Sequence, residues 1–276
     1  PIEGTPGERA GLRTGDKIIK VNGEEFTADN MNKAVQLMKG EPNTSVSITI
    51  SRKDKDGKNN YIDMDIVREE IKLITVKSAI IDDDIGYIRI TSFDEQTYDD
   101  FKENLNSLMD RKVGGIVLDL RSNPGGLLDV CVKIADEFLG EGVVVYTESR
   151  DGERLYEKSG KKKIDTPLVV LVNEGSASAS EILAGAITGR NRGILIGQKT
   201  FGKGTVQRIK QLEDGSGFKL TVSEYFTPNG ISIHELGIEP DIAVELPEDV
   251  ETIGTENLKE DIQLQTAIEE IKKMME

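Results

Sequence analysis

Apolar and polar positions follow two alternating rhythms along this chain. In the first 69 residues, Ile18, Ile19 and Val21 make a short strand between two turn signals, Gly15 with Asp16 and Asn22 with Gly23. Met31, Ala34, Val35 and Met38 then recur at helical spacing. Val46, Ile48 and Ile50, followed by Ile62, Met64 and Ile66, alternate as two strands joined by a polar turn at 54–60. The pattern predicts one small module, with 69–77 as a link onward.

From residue 86 the pattern changes. A short strand (86–90) precedes a helix marked by Tyr98, Phe101, Leu105 and Leu108. Residues 115–120, apolar but for Asp119, and 168–172, apolar throughout, read as buried strands, the first as a strand covered on both faces. Helices follow each, at 127–139 and along Ile182, Leu183, Ala186 and Ile187. Further strands fall at 143–147 and 193–197, with a hairpin turn at Asp151 and Gly152 and a solvated basic loop at 161–163. Strands alternating with helices predict an α/β core with parallel strands. After Gln207 the pattern is β, with Phe218, Leu220 and Val222 alternating and a turn at Pro228, Asn229 and Gly230. A last amphipathic helix spans 258–275, and its apolar side either packs on the core or joins a dimer.

Composition narrows the function. The chain has 276 residues, 37% of them hydrophobic, which suffices for one large or two modest domains. Its net charge of −15 argues against nucleic acid as a partner, because phosphate binding wants a basic surface. The single cysteine, Cys131, lies on the apolar face of a helix and reads as a small core residue. No spacing for a zinc site exists, and neither a signal peptide nor a membrane-spanning run is present. The chain begins at Pro1 without Met, which points to a fragment of a longer protein.

The candidate chemistry lies between 167 and 207. A strand, a tight turn and a helix start bring Ser176, Ser178 and Ser180 to the turn. A helix N-terminus behind a serine favours developing negative charge. Serines are also ordinary turn and cap residues. Ser178 shares a helix face with Ile182 and Ala186 and so faces the packed side; Ser176 reads as the N-cap and Ser180 as a helix-surface residue. A serine nucleophile needs a base. The only histidine, His234, lies in a loop and reads as structural. Lys203, between Gly202 and Gly204, is the other candidate, since a buried lysine loses its charge readily. At 121–126, proline stops a strand and two glycines let the backbone approach a ligand.

These stretches carry a resemblance. GSASASE at 175–181, FGKGTVQ at 201–207 and DLRSNPGG at 119–126 resemble the carboxyl-terminal processing peptidases, or tail-specific proteases. The match implies a catalytic Ser178, a Lys203 base, Gln207 holding the lysine amine, and an oxyanion hole made by the N–H groups of Gly126 and Ala179. It implies an α/β (α+β) fold with a crotonase-like or ClpP-like protease core. No cofactor and no metal are expected. The stretch from Pro1 to Gly23 resembles the middle of a PDZ domain, and 237–241 resembles the family's G-I-x-P-D element. In that family a glycine-containing loop and a peptide-binding strand precede this stretch. The expectation is therefore an N-terminally incomplete PDZ domain at 1–69, a protease core at 70–250 and a C-terminal helix at 251–276.

The resemblance further implies protein or peptide substrates with accessible non-polar C-terminal tails, work outside the cytoplasm, a possible homodimer, and a regulatory protein acting through the PDZ part. Gating by that part implies a truncated chain that is inactive or deregulated. Two rival readings are a silent peptide-binding module on the same fold and a crotonase-like acyl-CoA enzyme. The second has no use for a PDZ module or a Ser-Lys pair.

Overall fold

The computed structural model describes residues 1, 4–54, 57–71, 74–161, 163–212, 215–247, 250 and 253–276, with Ile209 described by its backbone alone. Parts of the expected 54–60 turn (55, 56), of the 69–77 link (72, 73) and of the 161–163 basic run (162) lie outside the described residues. The chain divides into two compact units, Pro1–Ile74 and Thr75–Glu276.

The first unit contains α1 (Pro6–Arg9), β1 (Lys17–Val21), β2 (Glu24–Glu25), α2 (Met31–Met38), β3 (Ser45–Lys53) and β4 (Asn59–Val67). Its strands form an antiparallel sheet in the order β2-β1-β3-β4. Asn22 and Gly23 both adopt positive φ, 50° and 81°, the backbone a two-residue hairpin needs to match strand twist. Val46, Ile48 and Ile50 of β3 are buried with Val21 and Ala34, and Leu37 and Met38 pack at the margin. Met31 and Val35 are exposed, contrary to the face expected from their spacing. The helix has only eight residues and lays a single stripe, through Ala34, on this small core. Arg52 grips Asp16 with two bonds of 2.7 Å, and that hydrogen bonding lowers the Asp16 carboxyl to about 2.

The second unit contains β5 (Val76–Ile81), β6 (Ile85–Ile90), α3 (Thr97–Asp110), β7 (Gly115–Asp119), α4 (Leu128–Leu139), β8 (Gly142–Ser149), β9 (Arg154–Ser159), β10 (Leu168–Val172), α5 (Ala179–Gly189), β11 (Ile194–Gly197), β12 (Thr205–Gln211), β13 (Gly217–Phe226), β14 (Ile242–Ala243) and α6 (Ile262–Met275). Six strands form a sheet in the order β14-β11-β10-β7-β6-β5. The pairs from β14 to β6 are parallel, and β5 closes the edge antiparallel. Part of β5 falls in the stretch expected to be a link.

The apolar strands face two cores. Ile116, Leu118 and Val170 pack with α3, α4 and α5 on one face. Val117, Val169 and Leu171 pack with Leu264, Ala267, Ile268 and Ile271 of α6 on the other. Continuous apolar runs in β7 and β10 follow from this double cover. The last helix is thus part of the core. Cys131 is fully buried, and burial pushes its thiol up. A second antiparallel sheet, β12-β13-β8-β9, completes the unit. Phe218 and Leu220 on β13 are exposed, so the alternation there marks no core face.

Candidate active site

Two loops leave neighbouring parallel strands at their C-terminal ends. Leu171 of β10 pairs with Asp119 of β7, so the turn 173–178 and the loop 120–127 emerge side by side, where open α/β sheets place their sites. Side chains then lock them together. Asn173 Oδ1 accepts from Ser122 N (2.7 Å) and Gly175 N (3.1 Å). The Ser176 hydroxyl donates to Leu120 O (2.8 Å) and accepts from Asn173 N. Ser176 is therefore a buried tie and not the helix cap. Ser180 is fully buried and donates to Asn123 O (2.9 Å), so it is not a helix-surface residue either. Both were misread because the loop 120–127 covers a helix start that looks solvent-facing from the sequence.

Ser178 is the N-cap of α5, half-buried, with φ of 54° and ψ of −114°. A non-glycine residue in that region costs on the order of 1–3 kcal/mol and persists only where its surroundings hold it. Glu181 does the holding. Its buried carboxylate accepts from Ser178 N (2.9 Å) and Lys203 N (2.8 Å) through Oε2. Through Oε1 it accepts from Thr200 Oγ1 and Gly202 N, both at 2.6 Å. One carboxylate oxygen thus joins the backbones of the two residues singled out as nucleophile and base.

The Lys203 side chain is exposed, which corrects the expectation of a buried lysine. It leaves a loop whose backbone is spent on Glu181 and on the 202–235 contact, where Glu235 N donates to Gly202 O (2.9 Å). Gln207 is exposed on β12, beside a bulge. Among the described residues, the Lys203 amine makes no hydrogen bond to Ser178 or Gln207. His234 lies half-buried next to Gly204, at the floor of the same loop.

The N–H groups of Gly126 and Ala179 donate to no acceptor among the described residues. Gly126 has φ of 148°, and a Cβ there would stand 2.3 Å from Phe93 O. A Cβ on Gly125 would meet Ala179 N at 2.9 Å, so the glycine loop lies directly on the start of α5. Beneath it, Arg121 is fully buried and bonds Asp119 (2.7 Å) and Asp261 (2.8 Å). Tyr87 donates to Asp119 (2.7 Å) and Gln263 accepts from Arg121 (3.0 Å). Burial alone would push the Asp119 carboxyl up; the Arg121 charge more than offsets it and holds the carboxyl below its usual range. Glu181 and Asp119 were visible as the ends of two motifs, but without an assigned role. Asp261 gave no signal, being 140 residues from Arg121 in sequence.

A serine held at positive φ on a strand-to-helix turn, beside two backbone donors without an acceptor among the described residues, is an arrangement whose chemistry suits acyl transfer. The particular family is defined by comparison: the chain belongs to peptidase family S41, whose model matches residues 84–244. A PDZ domain model matches residues 1–52. The chain is 41% identical over 254 residues to a carboxy-terminal-processing protease of Bartonella bacilliformis, covering 90% of this chain and 58% of that protein. It is 42% identical over 250 residues to the carboxy-terminal processing protease CtpA of Bacillus subtilis, covering 90% and 53%. The solved photosystem II D1 C-terminal processing protease aligns with a TM-score of 0.62 at 33% identity, over 91% of this chain and 69% of that one. The chain therefore spans a little over half the length of these curated relatives.

Proposed function

We propose that this chain is the PDZ-bearing catalytic part of a serine endopeptidase that cleaves proteins near their C-terminal tails. The observation that carries the reading is the Glu181 carboxylate, which ties the strained Ser178 to the Lys203 loop. In the proposed reaction, the neutral Lys203 amine takes the Ser178 proton as Oγ attacks the scissile carbonyl carbon. The tetrahedral oxyanion accepts from Gly126 N and Ala179 N. Lys203 returns the proton to the leaving amine, the C–N bond breaks, and an acyl-enzyme remains. Water then attacks the acyl carbon and gives a proton to Lys203; the acyl C–Oγ bond breaks, Ser178 Oγ takes that proton from Lys203, and the acid leaves. Gln207 orients the lysine amine.

The first unit serves recognition or gating. A groove of about 630 Å³ lined by Leu12, Ile18, Met38, Val46, Ile48 and Ile66 offers an apolar surface for a peptide. The reading includes work outside the cytoplasm, an expectation that the family resemblance supports. Labelling with a fluorophosphonate and locating the adduct by mass spectrometry tests the nucleophile: modification at Ser178 is expected, and modification elsewhere or none refutes it. The exposed lysine favours one alternative, a peptide-binding module without turnover; that reading predicts peptide binding with no adduct. Comparing turnover by the whole chain with that of residues 75–276 tests gating, and equal rates on equal substrates refute it.

A further inference from the structure

We infer that Asn123 is a positioning residue that sets the nucleophile elbow and the oxyanion donors against each other, an inference that rests on the Ser178 reading above. Asn123 is fully buried, one residue before the proline of the glycine loop. Its polar groups are turned inward, in two directions. Its carbonyl accepts from Ala177 N (3.0 Å) and from the Ser180 hydroxyl (2.9 Å). Those residues flank Ser178 on both sides, so one oxygen fixes the turn in which the nucleophile sits. Its side chain serves the other partner. Oδ1 accepts from Gly125 N (2.9 Å), and Nδ2 donates to Ile90 O (2.9 Å) at the end of β6.

The consequence concerns the next peptide. With Gly125 N–H captured inward and Gly125 O accepting from Phe93 N (3.0 Å), both polar groups of Gly125 are spent. Among the described residues, the following N–H, that of Gly126, is left without an acceptor, as is Ala179 N–H across the contact. Asn123 thus holds one proposed donor by its side chain and the other by its carbonyl, through Ala177 and Ser180. An oxyanion hole works only when both donors are already placed where the charge develops. Asn123 touches neither substrate nor Ser178 Oγ. Its effect is on the spacing of the two donors.

The test uses the whole chain and two variants, Asn123→Ala and Ser180→Ala, beside Ser178→Ala. Two readouts are taken on folded protein: kcat and KM for an unstructured protein with an apolar C-terminus, and affinity for a peptide boronate compared with the matching product peptide. The boron accepts a lone pair from Ser178 Oγ, the hydroxyl proton passes to Lys203, and the tetrahedral adduct presents an anionic oxygen to the donors. This arm needs no turnover. Asn123→Ala is expected to lower kcat and boronate affinity together by about 100-fold, the scale of one oxyanion donor, with KM and product affinity within about threefold. Ser180→Ala, which leaves the side-chain anchor in place, is expected to lower both by about three- to tenfold, the scale of one buried hydrogen bond.

A loss confined to thermal stability, with kcat and boronate affinity within twofold of the parent, would overturn the inference. If Asn123→Ala does not fold, Ser180→Ala decides alone by the same criterion. Ser178→Ala separates the two levels. Activity retained in Ser178→Ala, or no boronate adduct in the parent, overturns the Ser178 reading and this inference with it. An inactive Ser178→Ala beside a fully active Asn123→Ala overturns this inference alone.

Discussion

Replacing Glu181 by glutamine removes a charge and one acceptor oxygen from a buried site that faces four donors. The amide nitrogen must take one of the two oxygen positions. At the Oε2 position it would face two backbone N–H groups, Ser178 and Lys203, neither of which can turn away. At the Oε1 position it would face Gly202 N and the Thr200 hydroxyl, and only the hydroxyl can rotate. The second placement wins and leaves Gly202 N–H buried without an acceptor. One orphaned donor costs about 1–3 kcal/mol, and two bonds lose their charge assistance, so the total is about 3 kcal/mol. For a unit of this size that corresponds to a fall of about 6–12 °C in Tm. Activity falls as well, because the Oε2 bonds to Ser178 N and Lys203 N lose their charge assistance and Gly202, next to Lys203, loses its anchor. The assay is thermal unfolding by circular dichroism together with kcat/KM on folded Glu181→Gln. A Tm within 2 °C of the parent and an unchanged kcat/KM would refute the reasoning.

Asp261→Ala strands Arg121 with one carboxylate instead of two; a loss of about 3–5 kcal/mol is expected by denaturant titration, and a loss under 1 kcal/mol would show that the pair contributes nothing. Gly126→Ala drives a Cβ into Phe93 O and displaces the donor loop; kcat is expected to fall by about 100-fold, and full activity would contradict the assigned loop geometry. The Asp16 carboxyl is lowered from 3.8 to about 2 by the Arg52 hydrogen bonds, so its contribution is complete above pH 4 and is lost as pH falls through 2. Acid titration followed by a probe in the first unit should show this loss, and Asp16→Asn should remove that pH dependence; an identical acid profile in the variant would count against the pairing.

The sequence made the scaffold of the second unit readable because its signals are local. The apolar runs in β10 and, up to Asp119, in β7, helical spacing in α3 and α4, and the turn glycines each depend on a few neighbouring residues. Local spacing put Ser178 on the packed helix face and the cap at Ser176, and the family resemblance is what set Ser178 apart; the structure makes Ser178 the cap of α5. What was hidden depends on distant contacts. Ser176 and Ser180 look like surface turn residues until the loop 120–127 covers them. The exposure of Lys203 follows from how its loop is bound to Glu181 and to the segment near His234, which no spacing encodes. Val76–Ile81 is followed by the Asp82–Asp84 turn, and it takes its strand form from antiparallel pairing with β6. Tertiary partners decided each of these, as they decide whether a polar residue is a tie or a surface group.

The most direct measurement is cleavage of an unstructured protein with a free apolar C-terminus, by the parent chain and by Ser178→Ala and Lys203→Ala, with products identified by mass spectrometry. The account predicts cuts near the C-terminus by the parent and none by either variant. Unchanged cleavage by either variant would contradict the assigned nucleophile or base.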